Sequence, residues 1–242
     1  QNNAMENGTI TYTQLLREDL GIFRVTPDDG VPDFKAGQFL TLGLPLDGQI
    51  VNRAYSISSS PENKNFFEFV IRWVRKPLPG RLTSLLFNAK EGDKISWAKP
   101  AGSLTINDTL PNGEKDTRRI VCIGGGTGLA PFVSFAQHLH DTNDKREIVV
   151  LHGASYVDEL SYKDLLTGLE NESIDKGADK WNFKYRAAIS RPQEWTNRAW
   201  HGHKGRIEQF LRYNDGGKSS LEELVGEKIT KDNTMFYVCG WQ

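Results

Sequence analysis

The sequence predicts two domains, an N-terminal antiparallel β-barrel followed by a C-terminal α/β domain built on a parallel sheet. Three observations carry that expectation. The first half is cut by turn residues at short intervals, with brief strand-like runs between them. The second half alternates strand-like and helix-like stretches, the pattern of βαβ units. Between the halves, residues 107–117 (NDTLPNGEKDT) are polar and hold Pro111 and Gly113, the texture of a domain boundary. The chain has 242 residues, which suits two domains when one averages roughly 150. The domains are expected at 5–115 and 116–242.

In the first half, turns are expected at Pro27-Asp28-Asp29-Gly30, Pro45-Leu46-Asp47-Gly48, Pro61-Glu62-Asn63 and Glu91-Gly92-Asp93. Strands are expected between them at 21–26, 38–42, 54–58, 66–74 and 94–97. In the fourth, Phe67, Phe69, Ile71 and Trp73 fall at alternate positions, the mark of a strand with a buried face. A short helix is expected at 82–88. Past the boundary, 119–123 is an apolar run ending in glycines, 131–140 is helix-like, and 147–151 reads as a second buried strand. A helix at 160–169, a strand at 183–189, a helix at 206–211 and a strand at 235–239 complete the series. No internal repeat or low-complexity tract interrupts it.

Composition excludes several classes of function. Hydrophobic residues make up 38% and aromatic residues 10%, enough for a sizeable core. Lys plus Arg number 30 against 31 Asp plus Glu, so no cationic excess exists to neutralise a nucleic-acid backbone. Only Cys122 and Cys239 are present, too few for a four-thiolate iron–sulfur cluster or a four-cysteine zinc site. Two cysteines also make no disulfide framework, which points to a reducing, cytoplasmic location. No apolar run reaches the ~20 residues that span a bilayer, and the polar start lacks the order of a signal peptide. Gln1-Asn2-Asn3-Ala4 ahead of Met5 has the look of an expression-tag remnant.

The strongest local motif is Gly124-Gly125-Gly126-Thr127-Gly128-Leu129-Ala130-Pro131, between a strand and a helix. Glycines there let the backbone turn sharply and approach a ligand, and the helix start offers free amides and a positive dipole end to an anion. Pro131 suits a first helical turn. The motif lacks the Lys-Ser/Thr ending of a nucleotide-hydrolysing loop, and the sixth place of the dinucleotide fingerprint is not Gly or Ala. A turn that serves only strand–helix packing is the alternative.

Three weaker motifs accompany it. Arg53-Ala54-Tyr55-Ser56 can aim a cation and a ring toward one strand face; a surface Arg beside a core Tyr is the plain alternative. Gly80-Arg81-Leu82-Thr83 enters the short helix and can hold a phosphate, or Thr83 can simply cap. Ser190-Arg191 ends a strand, with Arg206 not far on, a pairing suited to a ribose phosphate or to a solvated turn.

Taken in order, these motifs and Tyr237-Val238-Cys239-Gly240 resemble the ferredoxin–NADP(+) reductase family over nearly the whole chain, from about Thr9 to Gln242. The resemblance implies an FAD-binding barrel and an NADP(H)-binding α/β domain. It implies that Arg53 pairs with the flavin pyrophosphate, Tyr55 packs on the isoalloxazine and Ser56 bonds near flavin N5. Gly80, Arg81, Leu82 and Thr83 would hold the FAD phosphates. Gly126, Thr127 and Gly128 would lie at the nicotinamide nucleotide, and Ser190, Arg191 and Arg206 at its 2′-phosphate. Ser56 and Cys239 would flank the hydride transfer. The implied partner is a separate ferredoxin or flavodoxin, and the implied state is a monomer.

Two departures stand out. His152-Gly153-Ala154-Ser155 carries no Arg where many bacterial members have one for the NADP phosphate. Family members also continue past the Cys-Gly pair, whereas Trp241-Gln242 end this sequence, so a C-terminal segment is expected to be missing. The rivals on the same frame are an oxygenase reductase component and a free-flavin reductase. The rival of another class is a flavin- or nucleotide-binding module without catalysis. No metal site is expected: His138 and His140 diverge on a helix, and His201 and His203 sit in a loop without nearby cysteine or carboxylate. Trp195 and Trp200 are expected to pack against the domain.

Overall fold

The computed structural model describes residues 4–240. The expectations for the tag-like first three residues and for Trp241-Gln242 lie outside them. Two compact units emerge. The first takes the chain up to Ile106 together with Ala130–Thr142; the second takes Asn107–Leu129 and the chain from Asn143 onward.

The first unit is an antiparallel sheet of six strands: β1 (Glu6–Arg17), β2 (Leu20–Pro27), β3 (Phe39–Leu46), β4 (Gln49–Ser56), β5 (Phe67–Arg72) and β6 (Lys94–Trp97). Their order is β4-β3-β6-β1-β2-β5. The edges meet beyond the ladder, where Ile57 N donates to Gln38 O and Ser58 N donates to Glu68 O of β5. Alternation on β5 buries Phe67, Phe69 and Ile71 to 0–1% exposure, and these pack with Ile10, Leu40, Leu42 and Trp97 in one core. Helix α1 (Arg81–Asn88) adds Leu82 and Leu86 to that core and leaves Arg81 in solvent.

Two strand expectations shift here. The 45–48 turn narrows to Asp47-Gly48, where φ values of 52° and 80° make a two-residue hairpin with Leu46 opposite Gln49. The hairpin therefore starts β4 at Gln49 instead of 54. Pro45 is admitted to β3 because β6 pairs only with Leu42 and Gly43, leaving that side of Pro45 free. Strand β1 was not expected; it is rich in exposed and half-buried Thr and other polar residues, and Ile10 is its only fully buried large side chain.

The second unit is a parallel sheet in the order β10-β9-β8-β7-β11. Its strands are β7 (Arg119–Gly125), β8 (Ile148–Ala154), β9 (Phe183–Ile189), β10 (His203–Lys204) and β11 (Thr234–Cys239). Residues 120–123 and 148–151 are at most 5% exposed, as strands covered on both faces require. The helices are α2 (Ala130–Asp141), α3 (Lys163–Lys176) and α4 (Ser220–Val225).

Helix α2 belongs with the first unit. Its Ser134 hydroxyl donates to Ser59 O (2.8 Å) and Gln137 Nε2 to Ser58 O (2.9 Å). Helix α3 starts later and runs further than 160–169, because its polar second half is fixed by Ser173, whose hydroxyl donates to Trp181 O at 2.7 Å. The helix expected at 206–211 is a 3₁₀ turn, Ile207–Leu211. Helix α4 was missed, although Ser219 and Glu222 form a reciprocal cap legible as Ser-x-x-Glu.

The entry to the second unit is locked by Asp116, which is fully buried. Its carboxylate accepts from Arg118 (2.8 Å) and Asn107 (2.8 Å), and Arg146 lies 3.3 Å away. The Arg118 hydrogen bond, above all, holds the Asp116 carboxyl well below the usual carboxylate range. Tyr237 joins in through its oxygen, which accepts from Asn107 N at 2.7 Å.

Candidate functional site

In the first unit, Arg53 and Tyr55 lie on β4, an edge strand against which α1 packs. Period-two alternation puts Arg53 and Tyr55 on one side and Ser56 on the other, so the three do not share a single face. Arg53 is exposed; its Nη1 donates to Asn52 O at 2.6 Å, and no carboxylate pairs with it among the described residues. Tyr55 leans on the core, and burial pushes its hydroxyl up to about 12 against the opposing pull of the Arg53 charge.

The start of α1 has Gly80 at its N-cap, no side-chain cap and no acidic residue in the first turn. Gly80 N itself donates to Val74 O at 2.7 Å, whereas the first-turn amides after it have no side-chain acceptor and no acidic residue among the described residues at the dipole end. Thr83 departs from both expectations for it. The side chain is buried, and its hydroxyl accepts from Val74 N (3.3 Å) and reaches Gly80 O at 3.4 Å. That ties the helix to the end of the β5 segment, so Thr83 neither caps nor presents its hydroxyl. Leu82 is buried as well and offers only backbone. Two cations without a carboxylate partner among the described residues, Arg53 on the strand that α1 packs against and Arg81 at the helix start, fit a diphosphate-bearing nucleotide.

In the second unit, the carboxyl ends of five parallel strands form one edge, the place where open α/β sheets take ligands. The glycine loop leaves β7 there as a 3₁₀ turn, Gly126–Leu129. Gly126 has φ 55° with open space around it, so a left-handed backbone faces the solvent side. Gly128 has a different reason. A methyl group on it would come within 2.4 Å of Gly240 Cα and 2.6 Å of the Cys239 carbonyl. The glycine at 128 thus admits the end of β11, and half-buried Cys239 lies against the loop. Burial pushes the Cys239 thiol up, so it stays protonated at neutral pH.

His152 supports the same loop from below. It is fully buried at the end of β8, and its Nε2 lies 3.0 Å from Gly126 O, while Nδ1 has no partner. Burial lowers its pKa to about 4. The neutral ring therefore carries its proton on Nε2 and donates it to the loop carbonyl. A lone His toward the end of an apolar strand gave no sequence signal for this.

The ends of β8 and β9 carry the next group. Ser190 N donates to Ala154 O at 2.9 Å, and the Ser190 and Ser155 hydroxyls lie 3.4 Å apart. Arg191 rests its guanidinium over the Tyr156 ring, 5.6 Å from the centroid, with Nη1 3.3 Å from the Tyr156 oxygen. Arg206 follows β10 at the same edge, with Glu208 3.5 Å away. Two further residues of this group were missed by sequence reasoning: Asn197, whose partners Ser155 and Val157 lie far off in the chain, and Glu208, which faces Arg206 from two positions on.

Trp195 is corrected: it is 74% exposed, with Arg198 over its ring at 4.2 Å, and does not pack into the unit. Trp200 is partly buried and donates from Nε1 to His203 O at 2.8 Å. His138 and His140 face Glu62 (2.7 Å) and Asp141 (3.0 Å). Among the described residues no group of three or more His, Cys, Asp or Glu is placed to hold a metal ion. Nor is any described helix long and apolar enough to cross a membrane.

Comparison with known proteins finds one family model over each half of the chain. The family described as Oxidoreductase FAD-binding domain matches residues 8–106, and the Oxidoreductase NAD-binding domain matches residues 122–242. The chain is 37% identical over 146 residues to a ferredoxin–NADP reductase of Pseudomonas aeruginosa, covering 60% of this chain and 53% of that one. The matched stretch is thus about half the length of that relative. It is 29% identical over 233 residues to the flavodoxin/ferredoxin–NADP reductase of Escherichia coli K12, covering 96% and 84%. Among solved structures, a ferredoxin NADP+ reductase from Neisseria gonorrhoeae with bound FAD and NADP superposes with a TM-score of 0.75. The two share 24% identity over 97% of this chain and 84% of that one, which identifies the fold.

Proposed function

Because the chain belongs to the oxidoreductase family that joins an FAD-binding domain to an NAD-binding domain, we propose that it passes electrons between NADP(H) and a ferredoxin or flavodoxin. The reading takes 5–115 as the FAD domain and 116–242 as the NADP(H) domain, although residues 107–115 group with the second compact unit and α2 with the first. The observation that carries this reading is a meeting of motifs at the carboxyl edge of one parallel sheet. The glycine loop, Ser155, Ser190-Arg191 and Arg206 come there from four successive strand ends.

When bound, FAD and a nicotinamide would supply the redox chemistry, exchange of a hydride between the two rings and of single electrons with the carrier. The chain's own residues orient and tune. Arg53, Arg81 and the first-turn amides of Arg81, Leu82 and Thr83, turned toward the ligand by Gly80, would neutralise the flavin pyrophosphate. Tyr55 lays its ring on the flavin with the hydroxyl kept protonated, since its pKa is pushed up to about 12. Ser56 offers its hydroxyl near N5. Gly126, Thr127 and Gly128 receive the nicotinamide half, and Cys239 borders it with a neutral thiol. Ser190, Arg191 and Arg206 take the 2′-phosphate. No strong acid or base is called for, because neither step needs one.

The reading carries with it a monomer acting in the cytoplasm with a separate acceptor protein. Its test is direct. The purified chain is expected to be yellow with bound FAD, NADPH is expected to bleach the flavin band without oxygen, and an added ferredoxin or flavodoxin is expected to restore it. A protein that takes up no FAD sinks the reading. Bleaching without reoxidation by any such carrier leaves the flavin chemistry and removes the proposed acceptor.

A further inference from the structure

We propose that Asn197 is a positioning residue for coenzyme choice: it fastens together the two loops that carry the 2′-phosphate-binding side chains. The inference rests on the NADP(H) reading above. Asn197 ends the 3₁₀ turn Trp195–Asn197 and is 2% exposed. Its Oδ1 accepts from Val157 N at 3.0 Å, and its Nδ2 donates to Ser155 O at 3.0 Å and to Arg191 O at 2.9 Å. Ser155 and Val157 follow β8, and Arg191 follows β9. Both amide donors are used, one on each loop.

The loops already touch where the strands end, through Ser190 N and Ala154 O. Beyond that bond the loops meet through side chains at the surface, the Ser155–Ser190 hydroxyl pair at 3.4 Å and Arg191 against Tyr156, contacts that water can replace. Asn197 adds a second tie further out, on Ser155 and Arg191 themselves. What it holds at fixed spacing is the pair of hydroxyls at Ser155 and Ser190 and the guanidinium of Arg191. A phosphate monoester takes its affinity from several donors at set positions, so fixing the loops beforehand removes an ordering penalty at binding. Ser155 makes this tie weighty. It offers one hydroxyl where an arginine would bring a charge, so the remaining donors must be well placed.

Asn197 is buried under these loops and acts through them. Aspartate in its place keeps the size and the Val157 bond but turns a carboxylate on two carbonyl oxygens. Alanine removes all three bonds. NADH has no 2′-phosphate, so the loss falls on NADPH alone.

The experiment compares the wild-type full chain with Asn197→Ala, Asn197→Asp and Arg191→Ala. Calorimetry reads the affinity for 2′,5′-ADP and for ADP, kinetics read KM and kcat with NADPH and NADH, and thermal melting reads stability. Both Asn197 variants are expected to weaken 2′,5′-ADP and raise KM for NADPH about tenfold, the equivalent of one or two lost hydrogen bonds. ADP, NADH and kcat are expected to stay within about twofold. Equal loss for both nucleotides, or a lower melting temperature with binding unchanged, overturns the fastening role. If Arg191→Ala is selective and the Asn197 variants are not, the inference fails and the coenzyme site stands. A wild-type chain with no preference for 2′,5′-ADP over ADP overturns the coenzyme reading and the inference with it. Should Asn197→Ala fail to fold, the near-isosteric Asn197→Asp decides.

Discussion

The Nε2 of buried His152 lies 3.0 Å from the carbonyl oxygen of Gly126, so a neutral imidazole pins the glycine loop from inside the sheet. The sign of its pH effect follows. Burial lowers the folded pKa from 6.5 to about 4, so the unfolded chain binds the proton first. Stability contributed by the neutral ring is complete above pH 6.5, falls as pH drops toward 4 and levels off below that. The loss is about 3 kcal/mol, at roughly 1.4 kcal/mol per pH unit. Urea denaturation at a series of pH values is expected to show an acid limb that His152→Gln lacks relative to wild type. Parallel curves for the two proteins would remove the titrating latch.

The loop glycines are expected to differ. Gly128→Ala sets a methyl group into the backbone of Cys239 and Gly240, and no rotamer relieves it. Overpacking of this kind costs about 1–3 kcal/mol. Gly126→Asn faces open space at φ 55°, a conformation asparagine adopts, and is expected to cost less than about 1 kcal/mol. Chemical denaturation of both variants checks the order; equal costs would show that Gly128 is not held by the β11 end.

Arg53 and Arg81 are exposed and have no carboxylate partner among the described residues. Replacing either with Ala is expected to change stability by less than about 0.5 kcal/mol. FAD affinity is expected to fall at least about tenfold, the size of a lost charge-assisted bond. Fluorescence titration of the apoprotein with FAD reads this. Unchanged affinity in both variants would move the pyrophosphate elsewhere.

Asp116 is expected to behave in the opposite way. It is 0% exposed and faces Arg118 and Arg146, so Asp116→Ala leaves the buried Arg146 without its counter-charge. Such a broken pair costs about 3–5 kcal/mol. The unfolding midpoint in urea is expected to drop sharply, with FAD binding to the folded fraction intact. A loss below about 1 kcal/mol would mean that water replaces the carboxylate, as it does at surface pairs.

Much of this fold is legible residue by residue. The 2-residue period of Phe67, Phe69 and Ile71 and the unbroken apolar runs of β7 and β8 are local consequences of burial, and a local pattern reports them. Strand β1 escaped notice because it buries a single large side chain, Ile10, among Thr, Gln and other polar residues, so no apolar period marks it. The site motifs were legible wherever glycine or paired Arg–Ser marks a turn at a strand end. His152 and Asn197 were not, because nothing next to either in sequence distinguishes it from a packing residue.

The sequence by itself determined two domains, their strand types and the sites where phosphates are expected, because turn chemistry and hydrophobic period act over a few residues. Only the tertiary structure decided what each site residue is free to do. Thr83 is turned inward by Val74, Gly128 is required by Gly240, and Ser155, Ser190 and Arg191 share an edge because parallel strands end together and one buried amide ties their loops. Those outcomes depend on backbone approaches and hydrogen bonds between different elements, from Val74 and Thr83 nine positions apart to Ser155 and Asn197 forty-two apart, which no local pattern encodes.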